Sequence, residues 1–338
     1  LFVFSHMRSS LIVLYQFLFL AFCSHYVHSS TLYVSSVYGN NKNSGETKDE
    51  PFRDILTAQQ HSNPGDTLCL LTGSYSGTNN TNLDLKALNL IGEDINTVHV
   101  YGPLSITNCS MTSMNIVSLD GESTPIINIA GGDITISQVS FVGVETAIQI
   151  SGDSTTTISN SIFQNCETSI HITSNEDLTL LFQDSSVLGS AGIIHSTDAS
   201  ITMNVLSSLF DGEKKTGNNF FAIQVQGNGI NEILIDSCYF VGCEYVLSLV
   251  ASNSSVTIQN TEMSNNFGTL ISAQCKDITL TNVLATNNTS SGFFFETQQG
   301  NINNITATNN SLKFNINGNF ELDNGVFENN NELDMVIA

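Results

Sequence analysis

Through the second half of the chain, short stretches alternate apolar and polar residues: DITISQ, TTTISN, EILIDS, SVTIQN and DITLTN. Such alternation buries every second side chain, the pattern of a strand with one face in a core. A second alternating stretch follows in many units, as in TAIQI, TSIHI, YVLSLV, FFFET and LKFNI. Asn, Gly and Ser bound these stretches, so the strands are short and the bends close together.

The pattern recurs at a nearly constant interval. The last apolar residues of the ITI-like strands are Ile136, Ile158, Leu180, Met203, Ile235, Ile258, Leu280, Ile302 and Leu322, with steps of 22, 22, 23, 32, 23, 22, 22 and 20. The long step carries DGEKKTGNNF, Asp211 to Phe220, read as a loop inserted into a regular array. A unit of about 22 residues with strands this short cannot bury its own apolar face and must stack on its neighbours. Neither a 3.6-residue period nor a leucine-rich frame is present. The expected fold class is therefore all-β, a parallel β-helix with coils ~4.8 Å apart.

Aligned on those anchors, the residues fall into columns. Two past the anchor lie Gln138, Asn160, Ser237, Asn260, Asn282, Asn304 and Asn324, and seven past it Gly143, Asn165, Gly242, Asn265, Asn287, Asn309 and Asn329. Asn tolerates the left-handed region and bonds local backbone, so both columns read as bends. Five past the anchor come Phe141, Phe163, Phe240, Met263 and Phe327, an interior stack.

Residues 1–30 read as upstream residues plus a signal peptide, with Met7-Arg8 before an apolar run from Leu11 to Cys23. Residues 31–82 read as an amino-terminal cap segment with one helix over about 52–60. Residues 83–338 read as the β-helix, truncated at its carboxy end, because NFELDNGVFENNNELDMVIA stops in the second strand of a coil. The cap segment carries Tyr33-Val34-Ser35, Gly39, Asn43-Ser44-Gly45, Pro51-Phe52, Ile55, Ala58, Gly65-Asp66-Thr67 and Gly73-Ser74-Tyr75. In these residues the chain resembles secreted right-handed β-helix proteins of the pectate-lyase-like superfamily. The resemblance implies a right-handed single-stranded parallel β-helix. That superfamily holds polysaccharide lyases, glycoside hydrolases and non-catalytic surface proteins, so fold alone does not set function.

Charge narrows the partners. The chain has 31 acidic and 9 basic residues, a formal net charge of −22. Nucleic acid and anionic membrane surfaces both need Lys and Arg and are excluded as partners. No second long apolar run follows the first, so no membrane span is expected in the mature chain.

Candidate chemistry is sparse. Glu145 and Glu167 share the column nine past the anchor on adjacent coils, with His171 four residues on. Backbones ~5 Å apart approach the carboxylate spacing of a retaining glycosidase; the competing reading is two solvated turn carboxylates. Entering the strands, Asp133, Asp177, Glu232 and Asp277 alternate with neutral residues. They read as surface design, with a weak calcium ladder as the alternative; no other cofactor is expected. Of the seven cysteines, Cys166 and Cys243 fall in one column and Cys109 and Cys238 in another, too far apart to pair; the leading reading is of mostly buried free thiols packing like small apolar side chains, with Cys238 and Cys243, on one coil, the one pair left open. Asn-x-Ser/Thr sites stand at Asn79, Asn108, Asn253, Asn287, Asn288, Asn304 and Asn309. Those in bend columns face their neighbours, which leaves Asn79, Asn253 and Asn288 as the expected glycan acceptors.

The leading functional reading is a secreted or cell-surface, non-catalytic β-helix for adhesion, glycan recognition or matrix structure, with polysaccharide or cell-surface glycans as partners. The alternative is a carbohydrate-active enzyme, a polysaccharide lyase or glycoside hydrolase.

Overall fold

The computed structural model describes residues 29–117, 125–212, 221–289, 292–330 and 332–337. The signal-peptide reading and residues 213–220 of the inserted loop lie outside them. The strands pair in parallel, each with the strand one coil before and one coil after it, in a right-handed parallel β-helix with three faces.

The first face stacks the outward column Thr31, Thr67, Asn89, Ser110, Thr135, Thr157, Leu181, Asn204, Leu234, Thr257, Thr279, Asn301 and Glu321. The second stacks the inward column Tyr75, Val100, Ile116, Phe141, Phe163, Val187, Phe210, Phe240, Met263, Ala285, Ala307 and Phe327. The third stacks Leu104, Ile127, Ile148, Ile170, Ile193, Ile223, Leu247, Ile271, Phe293 and Phe314. All three inward sets meet in one continuous core.

The corner after the first face is made by one left-handed residue per coil: Ser113, Gln138, Asn160, Asp184, Ser207, Ser237, Asn260, Asn282, Asn304 and Asn324 all have φ between 47° and 58°. The next corner uses Gly143, Asn165, Gly189, Gly242, Asn265, Asn287, Asn309 and Asn329. A side chain that bonds nearby backbone offsets the steric cost of this conformation, which explains the run of Asn. Asn108 belongs to neither column. It turns the third corner, where its Oδ1 accepts from the Asp133 N–H at 3.0 Å. Gly132 stands opposite, with φ +82°, and a Cβ there would lie 2.0 Å from that oxygen.

Register differs from the sequence expectation over two coils. Ile158 pairs with Phe182 and Phe182 with Val205, so the anchors are not Leu180 and Met203. A slip of two residues keeps the same set of side chains inward, so alternation cannot detect it. Packing decides it. The Phe182 ring lies 5.9 Å from Phe163 and 5.8 Å from Phe210, filling a level where the second face supplies only Val187. Rings thus run without a break from Phe141 through Phe163, Phe182 and Phe210 to Phe240. Where the second face narrows to Ala285 and Ala307, the third supplies the buried rings of Phe293, Phe295 and Phe314, which fill the core at those coils.

The cap helix, α1, spans Ile55–His61, starting later than expected. Asp54 caps it, accepting from the Thr57 N–H at 2.9 Å. Ile55 and Ala58 are fully buried against the first coil with Phe52 and Leu68. No disulfide joins the described cysteines. Cys238 and Cys243 sit at opposite ends of the strand Tyr239–Val241, a span of roughly 15 Å at strand rise and beyond bridging reach, so the free-thiol reading holds and the one pairing left open does not form. Cys109 lies at the third corner with Asn108, not in the column of Cys238. No described helix is long and apolar enough to cross a membrane.

Candidate functional site

Glu145 and Glu167 do stack on adjacent coils: the Thr168 N–H donates to the Glu145 carbonyl at 2.7 Å and the Glu167 N–H to the Val144 carbonyl at 3.0 Å. Both side chains are exposed at a turn. His171 lies four residues further along an extended strand, roughly 13 Å away. Its Nε2 faces Ser196 Oγ at 3.4 Å, and burial lowers its pKa. The structure keeps the two glutamates together and holds the histidine apart from them.

The acidic column is thinner than expected. Asp133 stacks through Thr155 on Thr179, so Asp177 falls two residues before that position and leaves the column. Glu232, Ser255, Asp277, Gln299 and Asn319 do continue it. Among the described residues no three His, Cys, Asp or Glu side chains gather to hold a metal.

Asn288 is also displaced from its expected place. It is 1% exposed and faces inward under the corner, so the outward-facing reading is corrected. The left-handed residue Asn287 consumes one position of the alternation, and the next side chain turns in. Asn266, Asn288, Asn310 and Asn330 form an internal amide ladder there, each Nδ2 donating to the Oδ1 of the next at 2.9 to 3.2 Å. An external ladder runs the opposite way. Asn304 donates to Asn282, Asn282 to Asn260, and Asn260 to the Asp236 carboxylate at 3.0 Å. Together with Gln259, Asn260 holds the Asp236 carboxyl below its ordinary pKa. Asn253 is exposed; Asn79 is exposed with its Nδ2 donating to Asp54 Oδ2 at 3.1 Å.

One surface feature combines shape with chemistry. A groove of about 490 Å³ opens over the last coils of the first face, lined by Asp277, Ile278, Thr279, Gln299, Gly300, Asn301, Asn319, Phe320 and Glu321. These are three rows on three successive coils: Asp277, Gln299 and Asn319; Ile278, Gly300 and Phe320; Thr279, Asn301 and Glu321. Gly300 occupies a row where the neighbouring coil places an apolar side chain. Phe320 swings into that space, so a Cβ on Gly300 would lie 2.1 Å from its ring, and it stacks on Phe295 at 5.6 Å. The carboxylates stand at opposite corners. Asp277 accepts from Ser255 Oγ at 3.2 Å and pairs with Lys276 at 3.4 Å. Asp277 was legible as one member of the entry column. Glu321, Asn301 and Phe320 were not, and the only sequence signal is the glycine of QQGNINN at an apolar position.

No family model and no curated protein matches the chain. Solved structures do. One is the catalytic domain of a GH87 alpha-1,3-glucanase in complex with nigerose, with TM-score 0.54 and 10% identity over 92% of this chain and 68% of that one. Another is the A-module of the mannuronan C-5 epimerase AlgE4 of Azotobacter vinelandii, with TM-score 0.52 and 13% identity over 84% of this chain and 91% of that one. At such identities the likeness concerns architecture alone: the chain has a right-handed parallel β-helix fold.

Proposed function

We propose that this chain is a carbohydrate-active β-helix that receives a polysaccharide in the first-face groove and hydrolyses it, with Asp277 and Glu321 as the acid–base pair. The observation that carries this reading is a groove lined by two carboxylates and by the amides of Gln299, Asn301 and Asn319. Amides offer both donors and acceptors to sugar hydroxyls. The two carboxylates belong to coils two steps apart, ~10 Å at the backbone, a spacing that leaves room for a water between them. The similar structures named above, one a glucanase and one an epimerase, favour carbohydrate chemistry over a purely architectural role.

A second reading keeps the groove and removes the chemistry. Asp277 is already held by Ser255 and Lys276, an arrangement suited to a fixed anion that anchors sugar hydroxyls. In that case the protein is a secreted or surface glycan-binding β-helix. An activity screen on soluble polysaccharides, reading new reducing ends, separates the two. The enzyme reading expects turnover that falls about 10²-fold or more in Asp277→Asn and Glu321→Gln with binding retained. Binding without turnover establishes the second reading, and neither binding nor turnover overturns both.

A further inference from the structure

We infer that the glycan taken by this groove is a neutral, hydroxyl-rich polysaccharide and not a polyuronate or sulfated chain. The inference rests on the groove reading above and adds the charge class of its ligand.

An anionic polysaccharide needs cations where its carboxylates or sulfates come to rest. The groove offers the reverse. Its two ionisable members, Asp277 and Glu321, are both acidic. Lys276, next to Asp277 in sequence, is already bound to that carboxylate at 3.4 Å. Elsewhere among the described residues, Lys48 pairs with Glu93 at 2.7 Å and Lys86 with Asp84 at 2.8 Å, both far from the groove along the chain, and Lys313 stands exposed on the third face, across the corner and six residues before Asn319. The external ladder ends on the carboxylate of Asp236, adding negative charge to the corner beside this face. A chain of formal net charge −22 also repels polyanions at long range.

The rest of the groove fits neutral sugar. Gln299 and Asn301 on one coil and Asn319 on the next are exposed amides, and Thr279 adds a hydroxyl on the coil before. Coils rise ~4.8 Å, about the length of one pyranose ring, so a glycan running along the axis meets fresh hydrogen-bonding groups at each sugar. Phe320 lies in the inward row of Ile278 and Gly300, packed against the core and stacked on Phe295 at 5.6 Å, so the outward groups of the groove are the polar side chains on either side of it.

The test is affinity electrophoresis or calorimetry of the full chain against soluble neutral glucans, mannans and galactans, and against polygalacturonate with and without calcium. The expected result is binding of at least one neutral glycan, at least tenfold weaker in the Gln299→Ala/Asn319→Ala double variant and little changed by salt. These side chains are exposed, so the variant keeps its fold, checked by an unchanged melting curve. Polygalacturonate binding that the same double variant weakens, with or without calcium, overturns the charge class while leaving the groove reading standing. Failure of every glycan to bind overturns both.

Discussion

Asn266 and Asn288 share one oxygen under the second corner: the Asn266 backbone N–H and its Nδ2 lie 2.9 and 3.0 Å from Asn288 Oδ1. Asn288 in turn donates to the Met263 carbonyl at 2.9 Å and to Asn310 Oδ1 at 2.9 Å. Every donor and acceptor of the Asn288 amide is used, in a site 1% exposed. Removing it strands buried partners on two coils. Asn288→Ala is expected to cost about 2–4 kcal/mol in urea unfolding, well above an exposed Asn282→Ala.

Glycan occupancy follows from the same ladder. A sugar on Asn288 would consume an amide hydrogen the ladder needs and would not fit beneath the corner. Asn253 is exposed with no competing role in the ladders. Expressed through a secretory host, the folded protein is expected to carry glycan on Asn253 and none on Asn288. Peptide mapping that finds Asn288 occupied contradicts the buried ladder.

His195 predicts acid sensitivity. It is fully buried between Ile172 and Val225 in the third-face stack. The Thr197 hydroxyl donates to the Ser174 carbonyl at 2.6 Å, so His195 Nε2 must be the donor to Thr197 Oγ1 at 3.2 Å. Nδ1 has no hydrogen-bond partner, and burial lowers the pKa to about 4. The unfolded chain binds this proton near pH 6.5. The depressed folded pKa means that stability is full above about pH 6.5 and is lost as pH falls toward about 4. His195→Leu is expected to remove on the order of 2 kcal/mol of that pH dependence, measured as unfolding free energy at pH 7 and pH 4.5.

Phe182 is expected to matter more than its neighbour Leu180. Phe182→Ala leaves a gap between the rings of Phe163 and Phe210 and should cost about 3–5 kcal/mol. Equal losses for Phe182→Leu and a conservative Leu180→Val would contradict its role as the ring that sets the level.

Thiol labelling offers a simple check of the core. Burial pushes Cys238 and Cys275 up to about 11 and Cys243 up to about 12, whereas Cys69 is partly open on the first face. Among the described cysteines, Cys69 is expected to alkylate first in the native protein. Comparable labelling of Cys243 would show that the corners open.

The repeat, the left-handed bends and the Phe column were legible in the sequence because each is a local signal repeated on successive coils. Coil register from Ile158 to Val205 was not, since Leu180 and Phe182 satisfy the same alternation and only ring packing separates them. Asn288 was misplaced because a left-handed residue resets the count by one, a change that a period of two cannot show. The groove was hidden for another reason. It comes from an absent side chain at Gly300 and a ring from the next coil, a relation between residues 20 apart in the chain.

The most direct test of the central claim is a titration of the full chain and of its Gln299→Ala/Asn319→Ala variant with soluble neutral polysaccharides. The account predicts saturable binding by the native chain, at least tenfold weaker in the variant at equal thermal stability. Equal affinity of the two proteins, or no binding by either, would contradict it.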